Sequence, residues 1–321
     1  MRAWLRALGL LWALGMTVMG GTACAPQLAA RGLEMRIPDI EGDRFVTRDG
    51  LRLGLKEWRA ETPHAVIVAL HGMNDYSTAF AIPAPYWASV GITTYAYDQR
   101  GFGRFPNTGI WPGAETMRQD LSDFVDVARA RHPGVPVFVL GESMGGAVVL
   151  SALASPAPPQ AAGFILVAPA VWGWRALPFS YRATLWMAAH VLPGKSFTGG
   201  GLKIVPSDNI EMLRANGRDP LFIKNTRTDA IYGLVNLMGD ALEASSHVER
   251  GPVLFVYGGR DQIIPKSATE AAIAGLGGRA EIKRYDEGYH MLLRDLHAEP
   301  RWADVADWIR AHEIGPLAAM Y

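Results

Sequence analysis

Cysteine is almost missing from this chain: Cys24 is the only one in 321 residues. No intrachain disulfide can form and no multi-thiolate metal site can be built. Histidine does not fill the gap, because the eight are scattered and no His-Glu-x-x-His stretch occurs. Neither a G-x-G-x-x-G turn nor a G-x-x-x-x-G-K-S/T loop is present, so nothing points to a dinucleotide or a nucleoside triphosphate. No metal and no cofactor are expected. An excess of either charge is absent too: Lys plus Arg and Asp plus Glu total 31 each, which leaves no electrostatic footprint for nucleic acid. Internal repeats and low-complexity tracts are also lacking.

What is present is the composition of a folded protein, 49% hydrophobic and 19% charged. The length suits one catalytic domain carrying an insertion. The amino terminus reads as an export signal over residues 1–23. Arg2 and Arg6 supply positive charge, Ala7 to Met19 is nearly all apolar, and Gly20-Gly21-Thr22-Ala23 is rich in small residues. The apolar run is short for a membrane span. Gly21-Thr22-Ala23-Cys24 resembles a bacterial lipobox, with Gly21 in place of the usual Leu. The expectation is an exported lipoprotein lipidated on Cys24 and held at a membrane surface, followed by a linker over 24–38. Ordinary signal cleavage after Ala25 competes, although Pro26 would obstruct it.

From there, short β-branched runs alternate with helical patterns, the signature of a mostly parallel sheet with crossover helices. Strands are predicted at Ala65–Leu70, Ile92–Tyr97, Val137–Leu140, Phe164–Val167, Val253–Tyr257 and Ala280–Tyr285, the first five buried on both faces. Phe45–Thr47 and Leu51–Trp58 form a hairpin around Asp49-Gly50, and Thr116–Arg131 forms a helix. Residues 171–250 break the rhythm, being too long for a loop and carrying two helical stripes, one from Leu177 to Leu192 and one from Ile231 to Leu242. The expected organisation is an α/β core over 39–170 and 251–316 with an inserted helical cap over 171–250. Trp172, Trp174, Phe179, Trp186, Ile231, Leu234 and Met238 are its candidate substrate-binding residues, although simple packing on the core competes for each.

Chemistry concentrates at Gly141-Glu142-Ser143-Met144-Gly145-Gly146, a G-x-S-x-G turn between a predicted strand and a helix. Such a turn lifts the serine into an exposed, strained position, and Gly141 and Gly145 avoid collisions with the neighbouring strand and helix. A serine hydroxyl needs a base to take its proton and a carboxylate to orient that base. With this motif the chain order is Ser, acid, His. Asp261 follows the strand Val253–Tyr257 and His290 follows the last strand, so both belong to loops at the same sheet edge as Ser143. Asp286 and Glu287 are rival acids that would have to fold back on His290. His297 falls in the following helix and reads as structural. His71-Gly72-Met73 follows the strand Ala65–Leu70, so the backbone N–H groups of Met73 and Met144 are the candidate oxyanion donors. His71 itself reads as a buried, hydrogen-bonded residue.

With those residues assigned, the chain resembles the monoacylglycerol lipase and lysophospholipase branch of the α/β hydrolases, including the serine-aminopeptidase-like domain, from about Arg44 to Arg310. The resemblance rests on His71-Gly72-Met73, Asp98-Gln99-Arg100-Gly101-Phe102-Gly103, the motif around Ser143, Asp219-Pro220-Leu221, Gly259-Arg260-Asp261 and Gly288-Tyr289-His290. It implies hydrolysis of single-chain lipid esters through an acyl-enzyme, without a cofactor. Glu142 stands where the branch carries His, and Gly103-Arg104-Phe105 replaces Gly-x-Ser. Peptidase relatives grip a substrate amine with a carboxylate, a part open to Glu142, Asp208 or Glu211. Serine aminopeptidase, aryl esterase or other small-ester, and perhydrolase or haloperoxidase chemistry are the alternatives, with a non-catalytic binding module at a membrane surface as the reading from another class.

Overall fold

Strands made of unbroken aliphatic runs are stable only between two helical layers, and the chain provides both. The computed structural model describes residues 25–198 and 203–313. Its strands are β1 (Asp39–Glu41), β2 (Arg44–Val46), β3 (Arg52–Trp58), β4 (Ala65–Leu70), β5 (Ile92–Tyr97), β6 (Val137–Glu142), β7 (Gly163–Val167), β8 (Ser196–Phe197), β9 (Thr226–Arg227), β10 (Val253–Gly258) and β11 (Ala280–Tyr285). Its helices are α1 (Ala84–Ser89), α2 (Ala114–Arg131), α3 (Met144–Leu153), α4 (Phe179–Val191), α5 (Ile210–Arg218), α6 (Thr228–Ala244), α7 (Lys266–Gly275) and α8 (Glu299–His312).

Nine strands form one sheet in the order β1-β2-β3-β5-β4-β6-β7-β10-β11. β1, β2 and β3 pair antiparallel and β3 meets β5 antiparallel, whereas β5, β4, β6, β7, β10 and β11 are all parallel. The period of two along a strand divides its side chains between the layers. Val66, Val68 and Leu70 join the cluster under α2, α3 and α7, while Ala65, Ile67 and Ala69 join the one under α1 and α8.

The expected strands and hairpin are present, and β1 adds an edge strand that three residues were too short to announce. β11 differs from the inner strands in being largely exposed, as an edge permits. Helix α2 starts two residues earlier than predicted, behind Gly113 at φ 85°. His297 lies exposed in the turn before α8 and not in the helix, because Pro300 occupies the first turn of α8 and sets the start there.

Between β7 and β10 the chain carries α4, α5, α6 and the small β8–β9 ladder. Helix α6 packs across α3, and its Gly233 meets the Trp111 ring so closely that a Cβ would collide with it. The stretch after residue 24 is fastened to this junction. Ala29 N–H donates to Trp111 O at 2.8 Å, and Gln27 engages Arg227 at 2.8 Å and Asp229 at 3.3 Å. The segment expected to be an export signal and Cys24 lie outside the described residues.

Candidate active site

β6 delivers Ser143 to the end of the sheet and α3 departs immediately after it. The serine takes φ 53° and ψ −116°, a strained conformation for a residue with a side chain, held by Ser143 N–H on Val167 O and by Ala170 N–H on Ser143 O, each at 2.9 Å. Space explains the next glycine: a Cβ on Gly145 would enter the Leu70 carbonyl of β4.

β10 and β11 bring the other two groups to the same edge. His290 Nε2 lies 2.9 Å from Ser143 Oγ, and His290 Nδ1 lies 2.8 Å from Asp261 Oδ2. The other oxygen, Asp261 Oδ1, accepts the N–H groups of Ile263 and Ile264 at 2.8 and 3.0 Å, so the carboxylate is held at both ends. Asp286 and Glu287 point away, exposed and paired with Arg284 and Arg260.

A side chain on Gly72 would press against Ser143, its Cβ 3.2 Å from that of the serine, so this loop runs close beside the nucleophile, and Met73, the next residue, lines the same cavity as the serine. Among the described residues Met73 N–H has no protein acceptor, and Met144 is the first residue of α3, so its N–H has no intrahelical one. Met144 directly follows Ser143 and Met73 lines the same cavity, so both amides remain available as the proposed oxyanion donors. His71 supports them from below, fully buried between Gly72 O at 2.8 Å and Gln99 N at 3.0 Å. Burial lowers the pKa of its imidazole, and Nε2, accepting Gln99 N–H, carries no proton of its own. Three charged residues of the quoted motifs make bracing contacts. Asp98 accepts Ser77 N–H and Arg104 N–H, Arg100 lies between Asp49 and Asp120, and Asp219 receives the Tyr76 hydroxyl.

Above Ser143 and His290 is a cavity of about 710 Å³. Of the residues expected to line it, Trp172, Ile231, Leu234 and Met238 do. Trp174, Phe179 and Trp186 do not. Helix α4 sets Leu185 and Ala188 against the cavity, with the exposed Tyr181 at its rim, while Phe179 and Trp186, seven residues apart, share the opposite face at 75% and 54% exposure. Trp174 packs on Tyr232 and donates to Asn236. Leu177, Val235, Ile263, Ile264 and Met291 complete much of the apolar wall.

One group escaped sequence reasoning. Arg294, four residues beyond His290, is buried and pairs with Glu142 at 2.9 Å and Asp75 at 2.7 Å. Opposite charges at 142 and 294 were the only signal, and their separation in the chain concealed it. Burial pushes the Glu142 carboxyl up against the pull of Arg294. This pairing engages Oε2 of the carboxylate that an amine would need and partly neutralises its charge. Asp208 accepts Leu296 N–H and Glu211 is exposed beside Arg214, so neither acid faces the cavity.

A twisted, mostly parallel sheet with a strained serine, a histidine and an aspartate at the carboxyl ends of its strands defines an α/β hydrolase. Residues 61–297 match the Hydrolase_4 family, described as serine aminopeptidase, S33. The chain belongs to that family. It is 26% identical to the monoacylglycerol lipase of Mycolicibacterium smegmatis over 277 residues, covering 84% of this chain and 96% of that one. It is 24% identical to phospholipase YtpA of Bacillus subtilis over 263 residues, 79% and 96% of the respective chains. A soluble variant of the Saccharomyces cerevisiae monoglyceride lipase, solved with a substrate analogue, superposes with a TM-score of 0.72 at 18% identity, covering 90% of this chain and 99% of that one.

Proposed function

We propose that the chain hydrolyses carboxylic esters bearing an apolar acyl chain, of the monoacylglycerol or lysophospholipid type, through an acyl-enzyme on Ser143. The observation that carries this reading is the position of Ser143 Oγ, 2.9 Å from His290 Nε2 at the base of a cavity walled mainly by aliphatic and aromatic side chains. The relatives named as monoacylglycerol lipase and phospholipase support the same substrate class.

In this scheme His290 Nε2 takes the Ser143 proton as Oγ attacks the ester carbon. The carbonyl oxygen gains negative charge and receives the N–H groups of Met73 and Met144. His290 then returns the proton to the departing alcohol, leaving the acyl group on Ser143. A water molecule repeats the sequence, and the carboxylic acid departs. Asp261 keeps the proton on Nδ1 and stabilises the imidazolium throughout. No step calls for a metal or cofactor.

The apolar wall favours an ester with a long acyl chain over a peptide amine, whose candidate carboxylate, Glu142, is already paired with Arg294. The test is kcat/KM across acetyl to dodecanoyl esters, set against monoacylglycerols, lysophospholipids and aminoacyl anilides. A rise with acyl length supports the reading, and a steady fall or faster anilide cleavage overturns it.

We further propose, on the lipobox-like Gly21-Thr22-Ala23-Cys24 stretch, that the protein is exported, lipidated on Cys24 and held at a membrane. Gln27 and Ala29 tie the following residues to Arg227, Asp229 and Trp111. An anchor at Cys24 would thus hold the inserted helices toward the lipid that supplies the substrate.

A further inference from the structure

Arg294 makes more contacts around the site than a packing role requires. Its Nη2 reaches Glu142 Oε2, the residue directly before Ser143. Its Nη1 reaches Asp75 Oδ2, and Asp75 N–H closes the turn on Gly72 O at 3.3 Å, the turn that contains the Met73 amide. Its backbone continues the loop that begins at His290, with Arg294 N–H on Met291 O at 2.8 Å, and its carbonyl accepts Asn209 Nδ2, the capping residue of α5, at 2.9 Å. One residue therefore joins the segments holding the nucleophile, one oxyanion donor and the base, together with the insertion above them.

The cluster is poorly arranged for stability alone. Two carboxylates and one guanidinium are buried together, and among the described residues Glu142 Oε1 and Arg294 Nε find no partner. Incompletely satisfied buried ion networks are usually no better for stability than apolar side chains of similar size. What an ionic clamp adds is geometry, because a planar guanidinium fixes two carboxylates at a set distance and angle.

We propose that Arg294 is a positioning residue whose paired contacts to Glu142 and Asp75 hold Ser143, the Met73 amide and His290 in reactive register. The inference rests on the ester-hydrolase reading above, in which those three groups act together.

The test compares full-length wild type with Arg294→Lys, Arg294→Met and the charge-balanced triple variant Glu142→Gln, Asp75→Asn, Arg294→Met. The readouts are kcat and KM on p-nitrophenyl butyrate, the fluorophosphonate labelling rate at Ser143, and the melting temperature. Arg294→Met should lower kcat and the labelling rate about 100-fold, with KM within about threefold, because a displacement on the order of 1 Å suffices for such a loss. Lysine carries the charge without the fork, so Arg294→Lys should recover only part of it. The triple variant leaves no unpaired buried charge and keeps the question open to measurement if Arg294→Met fails to fold. It should melt near wild type and still react slowly. A triple variant that folds and turns over within about threefold of wild type would show the cluster to be structural and overturn the proposal. A wild-type chain that takes no label at Ser143 would instead overturn the hydrolase reading, and the positioning role with it.

Discussion

Asp261 and His290 meet across the ends of neighbouring parallel strands, Oδ2 to Nδ1 at 2.8 Å, while the second oxygen of the carboxylate is held by two backbone N–H groups. This anchorage separates Asp261 from the acids that lie closer to His290 in sequence. Asp261→Asn should lower kcat on p-nitrophenyl butyrate by up to about 10⁴-fold, since an amide presents the wrong partner to Nδ1. Asp286→Asn, at an exposed surface pair, should stay within about twofold. The reverse pattern would assign the acid elsewhere.

Acyl selectivity should reside in the inward faces of α4 and α6. Each methylene that leaves water contributes at most about 0.8 kcal/mol, or up to about fourfold in kcat/KM per carbon. Ile231→Asn and Leu234→Asn should flatten that rise while leaving acetyl-ester turnover nearly intact. Phe179→Ser and Trp186→Ser, on the outer face of α4, should leave the length profile in solution unchanged. Chain-length profiles of the four variants check this.

Glu142 supplies a pH-dependent signature. Its folded-state pKa is raised above 4.5, burial being the main cause, so the folded chain binds a proton at this site more readily than the unfolded one. Any stability that follows is present below pH 4.5 and is lost as pH rises through the folded value. Glutamine cannot titrate. The melting temperature of Glu142→Gln minus that of wild type should therefore become more positive from pH 4.5 to 7.5, and a difference that falls over this window would contradict the shift.

Much of the sheet was legible in the sequence because inner strands such as β4 and β6 are continuous apolar runs that no amphipathic helix would carry. The candidate triad was equally legible, since Ser143, Asp261 and His290 each follow a strand, and parallel strands bring those ends together. The orientation of α4 was not. Its Phe179 and Trp186 are as apolar as Leu185, and only the placement of Leu185 and Ala188 along the cavity decides which side faces inward. The pairing of Arg294 with Glu142 was hidden for a related reason. It joins residues 152 positions apart, and nothing local in either segment announces its partner. β1 was missed because three residues carry too little periodicity.

For localisation, the expected outcome is a mature chain beginning at Cys24 with a diacylglycerol thioether, recovered in membranes. Two or more acyl chains make such an anchor stable, at roughly 0.8 kcal/mol per buried methylene. Cys24→Ser should change processing and release the protein from that fraction. Mass spectrometry of a mature chain starting at Pro26 would refute lipidation.

Every role proposed for this site depends on Ser143 being the nucleophile. A fluorophosphonate probe followed by peptide mass spectrometry tests this most directly, with Ser143→Ala as the paired control. The prediction is a single phosphonylated peptide carrying Ser143, with labelling and ester hydrolysis both lost in a Ser143→Ala protein that melts as wild type does. Modification of another residue, or ester turnover that persists in Ser143→Ala, would contradict it.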